Sequence, residues 1–264
     1  MRTTHSAIVF EVEHPQGSRI VKMLRNRDDS AGIRRYERER QVLSVLEGRV
    51  PPGFIPRIIA AAPGVLITDK LAGRRVHDLL WWPTAHRVLA VRKAGETARL
   101  LAEIPLDDVI LPPHAPPELD GYLLLVGETL PSWVTREAVA ASAETDRSGF
   151  VHGDFVPTNW LWDGKRTAVL DFEWARMGNP EEDVAMAWAR LRLAGVERGL
   201  VNDRLASEVI RHWLPAPSVS WKAYALVKTV AIILTRMRTR PDPFRQIEMR
   251  LLRRSLDLVI QKLI

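Results

Sequence analysis

The sequence predicts an α+β chain in two lobes, a small β-rich lobe over residues 1–70 and a larger, mainly helical lobe over residues 71–264. Three observations carry this reading. Two apolar runs at 8–13 and 19–24 flank the turn signal Pro15-Gln16-Gly17-Ser18, as a β-hairpin requires. From residue 182 onward the apolar positions recur at helical spacing, with breaks at Pro215, Pro217, Pro241 and Pro243. A second hairpin signal, Asp163-Gly164 between Trp160-Leu161-Trp162 and Thr167-Ala168-Val169-Leu170, lies inside this otherwise helical part.

In chain order, the hairpin is followed by a helix over 33–46 with Ile33, Tyr36, Leu43 and Leu46 on one face, ended by Gly48. Residues 56–62 and 64–69 supply two further strands, which completes the β-rich lobe. Ala72-Gly73 opens a different regime: a helix over 88–104 carrying Leu89, Ala98, Leu101 and Ala102, then the proline-rich loop Pro112-Pro113-His114-Ala115-Pro116-Pro117. Helices over 122–130 and 136–144 precede short strands and tight turns between 150 and 174.

A chain of 264 residues, 46% hydrophobic and 27% charged, has enough apolar sequence for a packed core. Cysteine is absent, which excludes disulfides, thiolate metal sites and a cysteine nucleophile. No apolar run approaches the roughly 18 residues that span a bilayer, and residues 1–6 lack the apolar stretch of a signal peptide. A cytoplasmic protein with no membrane partner is expected. The net charge of +6 is concentrated late: ten Lys and Arg from Lys222 onward face only Asp242, Glu248 and Asp257. Such a segment can contact nucleic acid. However, Ile247, Leu251, Leu252, Leu256, Val259 and Ile260 recur at helical spacing, so the basic residues read as the solvated face of amphipathic helices. Nucleic acid is not expected as a partner, and a monomer or homodimer is.

The chemistry is carried by His152-Gly153-Asp154-Phe155-Val156-Pro157-Thr158-Asn159, followed by Val169-Leu170-Asp171-Phe172-Glu173. The hairpin between the two pieces brings Asn159 and Asp171 towards one another. Two oxygen ligands beside a triphosphate suit Mg²⁺, which keeps several waters and takes few protein ligands. Asp154, upstream on the loop, is free to receive the proton of a substrate hydroxyl.

At these residues the sequence resembles the aminoglycoside phosphotransferase and choline kinase family, relatives of the protein kinases. The likeness rests on HGDFVPTN at 152–159, LDFE at 170–173 and GNPEEDVA at 178–185. It is similar to the kinase pattern H-x-D-x-x-x-x-N followed by D-F-G, with Glu173 in place of the glycine. The resemblance implies a protein-kinase-like fold, with residues 1–70 as the nucleotide-binding lobe and 71–264 as the catalytic and substrate-binding lobe. It implies Asp154 as catalytic base, Asn159 and Asp171 as metal ligands, His152 as support for the loop, and Asp183 as a structural brace of its backbone. ATP and Mg²⁺ are the implied cofactors. Residues 67–71 resemble the interlobe hinge.

A kinase of this type needs a strand lysine for the phosphates and a helix carboxylate to hold it. Lys22 lies in the strand at 19–24. Glu39 and Glu37 compete for the partner role; Glu39, three residues after Tyr36 and four before Leu43, lies on the inward face and is favoured. One departure stands out: no glycine precedes Gly17, so the glycine-rich loop of protein kinases is missing, with Thr3, Thr4, His5 and Ser6 as its polar substitutes. The expected activity is ATP- and Mg²⁺-dependent phosphorylation of a hydroxyl on a small molecule, such as an aminoglycoside, an amino alcohol, a sugar, or a metabolite such as homoserine or thiamine. The rival is a catalytically idle kinase-like binding protein that uses its basic C-terminal helices to contact nucleic acid or a protein partner. Asp107, Asp108, Glu118, Asp120, Glu173, Glu181 and Glu182 are candidates for a cation-binding surface, and Trp81, Trp82, Trp133 and Trp174 for an aromatic platform, with solvated and core roles as the simpler alternatives.

Overall fold

The computed structural model describes residues 2–3, 7–26, 28–80, 85–105, 119–144, 149–193, 203–213, 216–238, 242–261 and 263, and structural statements concern these. Strands β1 (Arg2–Thr3), β2 (Ala7–Val12), β3 (Arg19–Leu24), β4 (Ile58–Ala62) and β5 (Val65–Asp69) form an antiparallel sheet in the order β1-β2-β3-β5-β4. The β2–β3 turn closes with the Gly17 N–H donating to His14 O at 2.9 Å. Gly17 takes a φ of +105°, which a side chain would oppose. Central β3 pairs on both sides, Lys22 lying opposite Val9 and Leu66.

Helix α1 (Ser30–Leu46) begins one turn earlier than the apolar pattern indicates, because the Asp29 carboxylate caps it by accepting the Ala31 N–H at 3.1 Å. Tyr36, Glu39, Val42, Leu43 and Leu46 are buried, and the Tyr36 hydroxyl donates to Ala62 O at 2.7 Å. Ile33, assigned to the same face from its spacing, stays 38% exposed, one turn ahead of the residues that meet the sheet.

The second lobe contains α2 (Val76–Leu79), α3 (Ala85–Ala102), α4 (Leu119–Val126), α5 (Ser132–Ser142), α6 (Glu181–Leu193), α7 (Asp203–Arg211), α8 (Val219–Arg238) and α9 (Asp242–Ile260). α8 packs against α4, α5 and α6, and α7 against α3 and α6. Between α5 and α6 the chain forms short antiparallel ladders. β7 (Gly149–Val151) pairs with β10 (Arg176–Gly178), and β8 (Trp160–Trp162) lies between β6 (Arg74–Arg75) and β9 (Thr167–Val169). The Asp163-Gly164 hairpin joins β8 to β9, the Asp163 carboxylate accepting the Lys165 and Arg166 N–H groups at 2.8 and 2.9 Å.

Phe150, Phe155, Trp160, Phe172, Trp188 and Tyr224 are among the largest fully buried side chains. Each contributes about 1.5–3 kcal/mol of apolar burial, and the rings of Phe150 and Phe172, and of Phe155 and Trp160, pack together at 6.2 and 4.9 Å between centroids. Thr97 of α3 donates to Thr167 O at 2.8 Å, and Thr167 to Ala90 O at 2.7 Å, fastening β9 to that helix. The Val169 N–H reaches Phe54 O at 2.8 Å. Two assignments change: Leu89 is 37% exposed, and Pro243 sits in the first turn of α9, where a missing N–H costs nothing. No helix among the described residues is long and apolar enough to cross a membrane.

Candidate functional site

The loop that leaves β7 is fixed by Asp183 in the first turn of α6. The Asp183 carboxylate accepts the His152 N–H at 2.6 Å and the Gly153 N–H at 2.9 Å. Burial pushes its pKa up to about 7, with those N–H groups pulling the other way. Gly153 has a φ of +78°, and a Cβ there would lie 2.5 Å from Trp174 O. Gly153→Ala is therefore expected to destabilise the fold by more than the roughly 1–3 kcal/mol of backbone strain alone, read as a fall in melting temperature.

His152 is buried, its ring 4.7 Å from Phe172 and 6.0 Å from Phe155 between centroids. Its Nδ1 accepts the Asp154 N–H at 3.2 Å, so the proton belongs on Nε2, which faces Leu170 O at 3.0 Å. Burial lowers its pKa and keeps the ring neutral.

The Asp154 carboxylate is half-buried. Asn159 Nδ2 donates to Asp154 Oδ2 at 2.9 Å and to the Asp154 carbonyl at 3.0 Å. Asn159 and Asp171 come together because the Leu170 N–H donates to Asn159 O at 2.9 Å. Asp171 has a φ of +69°, alone among the described non-glycine residues in the left-handed region; aspartate tolerates this region better than most. Asn159 Oδ1 and Asp171 Oδ2 carry no hydrogen bond from any described residue, which leaves two oxygen donors for a hard cation.

Lys22 reaches this point from the other lobe. Its Nζ lies 2.7 Å from Glu39 Oε2, 2.8 Å from Asp171 Oδ1 and 3.3 Å from Glu173 Oε2. Burial alone would lower the lysine's pKa, but Glu39, then Asp171 and Glu173, outweigh it and hold the ammonium well above its ordinary value. Burial raises Glu39 against the pull of Lys22. Burial and then the Asp171 charge push Glu173 up to about 7. For Asp171, burial is outweighed by Lys22, and its pKa falls. Glu37 faces away from the cluster and bonds Arg40 at 2.9 Å.

The Asp154 charge acts on three groups that escaped the sequence reading: Tyr122 of α4, Arg190 of α6 and Lys228 of α8. Buried Lys228 donates to Gly153 O at 3.0 Å. Its signal in the sequence is a lone lysine inside the apolar run Tyr224-Ala225-Leu226-Val227-Lys228-Thr229-Val230-Ala231. Arg190 stands seven residues after Asp183, on the same face of a helix.

The proposed acidic surface does not assemble among the described residues. Glu173 faces Lys22, Glu182 pairs with buried Arg176, Glu181 accepts the Ser218 N–H at 2.8 Å, and Asp120 is exposed on α4. Trp174 lies under the Arg35 guanidinium at 5.6 Å, and half-buried Trp133 packs on the core. Residues 4–6, Trp81, Trp82, Asp107, Asp108, Glu118 and the proline-rich loop at 112–117 lie outside the described residues.

A sheet lobe that presents a lysine–glutamate pair to a helical lobe bearing this loop is the two-lobed, protein-kinase-like architecture. Residues 4–218 match the family model described as the phosphotransferase enzyme family, and the chain belongs to that family. Solved structures with the same fold include an ADP-bound aminoglycoside phosphotransferase, APH(2'')-Ib, at 15% identity and a TM-score of 0.62, covering 96% of this chain and 90% of that one. The macrolide 2'-phosphotransferase MphH from Brachybacterium faecium is similar at 14% identity and a TM-score of 0.59, covering 94% and 89%. A Plasmodium vivax ethanolamine kinase is similar at 13% identity and a TM-score of 0.58, covering 98% and 81%. No curated protein matches the sequence.

Proposed function

We propose that this chain transfers the γ-phosphoryl group of ATP to a hydroxyl of a small molecule, with residues 1–70 holding the nucleotide and residues 71–264 the acceptor. The observation that carries the reading is Lys22 Nζ bridging Glu39 and Asp171 at 2.7 and 2.8 Å, which ties a strand lysine to the aspartate that follows the hairpin. The ADP bound to one similar structure supports the choice of nucleotide.

In this reading Lys22, steadied by Glu39, holds the α- and β-phosphates. Asn159 Oδ1 and Asp171 Oδ2 fit a Mg²⁺ ion, which when bound would offset charge on the phosphate oxygens. The acceptor oxygen bonds to the γ-phosphorus while its proton passes to the Asp154 carboxylate. The bond from that phosphorus to the bridging oxygen breaks, and its electron pair leaves with ADP. His152 and Asp183 touch no reacting atom; they hold the loop that aims Asp154.

The test is ADP release by the purified chain with Mg²⁺ and ATP across a panel of small hydroxyl compounds. Release stimulated by one class of acceptor and abolished by EDTA is expected. Absence of nucleotide binding, with no stimulation by any compound, would sink the reading.

A further inference from the structure

Among the described residues, the surroundings of Asp154 on the acceptor side carry an excess of positive charge. The Asp154 carboxylate acts electrostatically on Arg190 of α6, on Lys228 of α8 and on the Tyr122 hydroxyl of α4. Arg236, eight residues beyond Lys228 on α8, adds its charge to that felt by Arg190. Both α4 and α6 pack on α8, which bears Lys228 against the loop that carries Asp154.

Arg190 is the poorly satisfied member of the group. Arg190 Nε is shut off from solvent with no hydrogen-bond acceptor. Among the described residues, neither Arg190 nor Lys228 joins a carboxylate in an ion pair; Lys228, only 6% exposed, has Gly153 O at 3.0 Å as its hydrogen-bond partner. A guanidinium N–H taken out of water without an acceptor is costly, unless an anion arrives to complete the site. Glu173 is engaged with Lys22, and Glu182, paired with Arg176, together with Asp154 supplies the negative charge that Lys228 feels, while Asp154 is the carboxylate that acts on Arg190. The orphaned guanidinium offers N–H groups in the planar fork that matches a carboxylate or phosphate. An aminoglycoside or a quaternary amine would instead place like charges together.

We infer that the phosphate acceptor is an anionic alcohol, a small molecule bearing a carboxylate or phosphate close to the hydroxyl it presents to Asp154, and that Arg190 binds that anion with Tyr122 donating beside it. The inference rests on the phosphotransferase reading and narrows its substrate class. The transfer is unchanged: the hydroxyl oxygen takes the γ-phosphoryl group, its proton goes to Asp154, and ADP leaves. The product carries more negative charge than the acceptor.

The experiment uses the full chain with Mg²⁺ and ATP, and three acceptor sets: hydroxy acids such as glycerate, phosphorylated alcohols such as glycerol phosphate, and cationic alcohols represented by choline and an aminoglycoside. Binding is read by calorimetry and turnover by ADP release. One of the two anionic sets is expected to bind and stimulate ADP release, which also identifies the anion. Arg190→Gln should raise the KM for that acceptor by about tenfold or more, the worth of a charge-assisted bond, and Arg190→Lys should recover part of the loss. Stimulation by the cationic set alone overturns the inference and leaves the phosphotransferase reading standing. An Arg190→Gln protein that melts like the wild type and keeps its KM for the anion overturns it too. If nucleotide binding is absent and no set is bound or turned over, both readings fall.

Discussion

Replacing Asp154 with alanine is expected to lower kcat by about two to four orders of magnitude, the usual worth of a positioned proton acceptor, with nucleotide affinity little changed. Two features of the structure separate these effects. The Asp154 carboxylate is half-buried and held by Asn159 Nδ2 at 2.9 Å, so it is aimed rather than free. It makes no contact with Lys22, whose partners are Glu39, Asp171 and Glu173. Asn159 would keep its bond to the residue 154 carbonyl at 3.0 Å, so the loop should survive the change. Asp154→Asn preserves shape without basicity and should fall nearly as far. The check is steady-state ADP release beside nucleotide binding by calorimetry. A kcat within about threefold of the wild type would remove Asp154 from the proposed role, since general-base contributions are far larger.

The parts of the molecule that the sequence made legible are those set by local chemistry. Asp163-Gly164 defines the β8–β9 turn because the aspartate satisfies the turn's own N–H groups, and that hairpin is what delivers Asp171 beside Asn159. The inward direction of Glu39 followed from its phase relative to Tyr36 and Leu43, and Glu39 is the glutamate that meets Lys22. What was not legible depends on which helices pack together. Periodicity marks the face on which a residue lies but not the neighbour that face will meet. Lys228 was counted among the basic residues of a solvated face, yet α4, α5 and α6 close over α8 and bury it against Gly153 O. Arg190 and Tyr122 carry no local signature at all; they come within the field of Asp154 on α6 and α4, which both pack on α8. The same limitation explains Ile33 and Leu89, apolar residues in the right phase that the fold leaves partly exposed. Charge counted along the sequence located a basic C-terminal third, whereas charge counted in space sets Arg190 and Lys228 in the field of Asp154.

Asp183→Ala is expected to be strongly destabilising, because it orphans two buried donors at once. The His152 and Gly153 N–H groups point at the Asp183 carboxylate at 2.6 and 2.9 Å, and water has no evident access to replace it at a residue 6% exposed. Each unsatisfied buried N–H costs about 1–3 kcal/mol. Part of this is offset, since the carboxyl itself is held up to about pKa 7 mainly by its own burial, and removing it relieves that cost. A net loss of about 2–4 kcal/mol remains, which for a chain of this size lowers the melting temperature by roughly 5–15 °C. Asp183→Asn should fare little better: its carbonyl oxygen can accept one N–H, but its NH₂ would face the other donor. The effect should not stop at stability. Measured well below both melting temperatures, kcat should fall while nucleotide affinity holds, because the backbone that Asp183 grips leads directly into Asp154. If the variant melts within about 2 °C of the wild type, the two N–H bonds carry far less than their burial implies. If it is destabilised but keeps full kcat, the loop does not need this brace to aim its carboxylate.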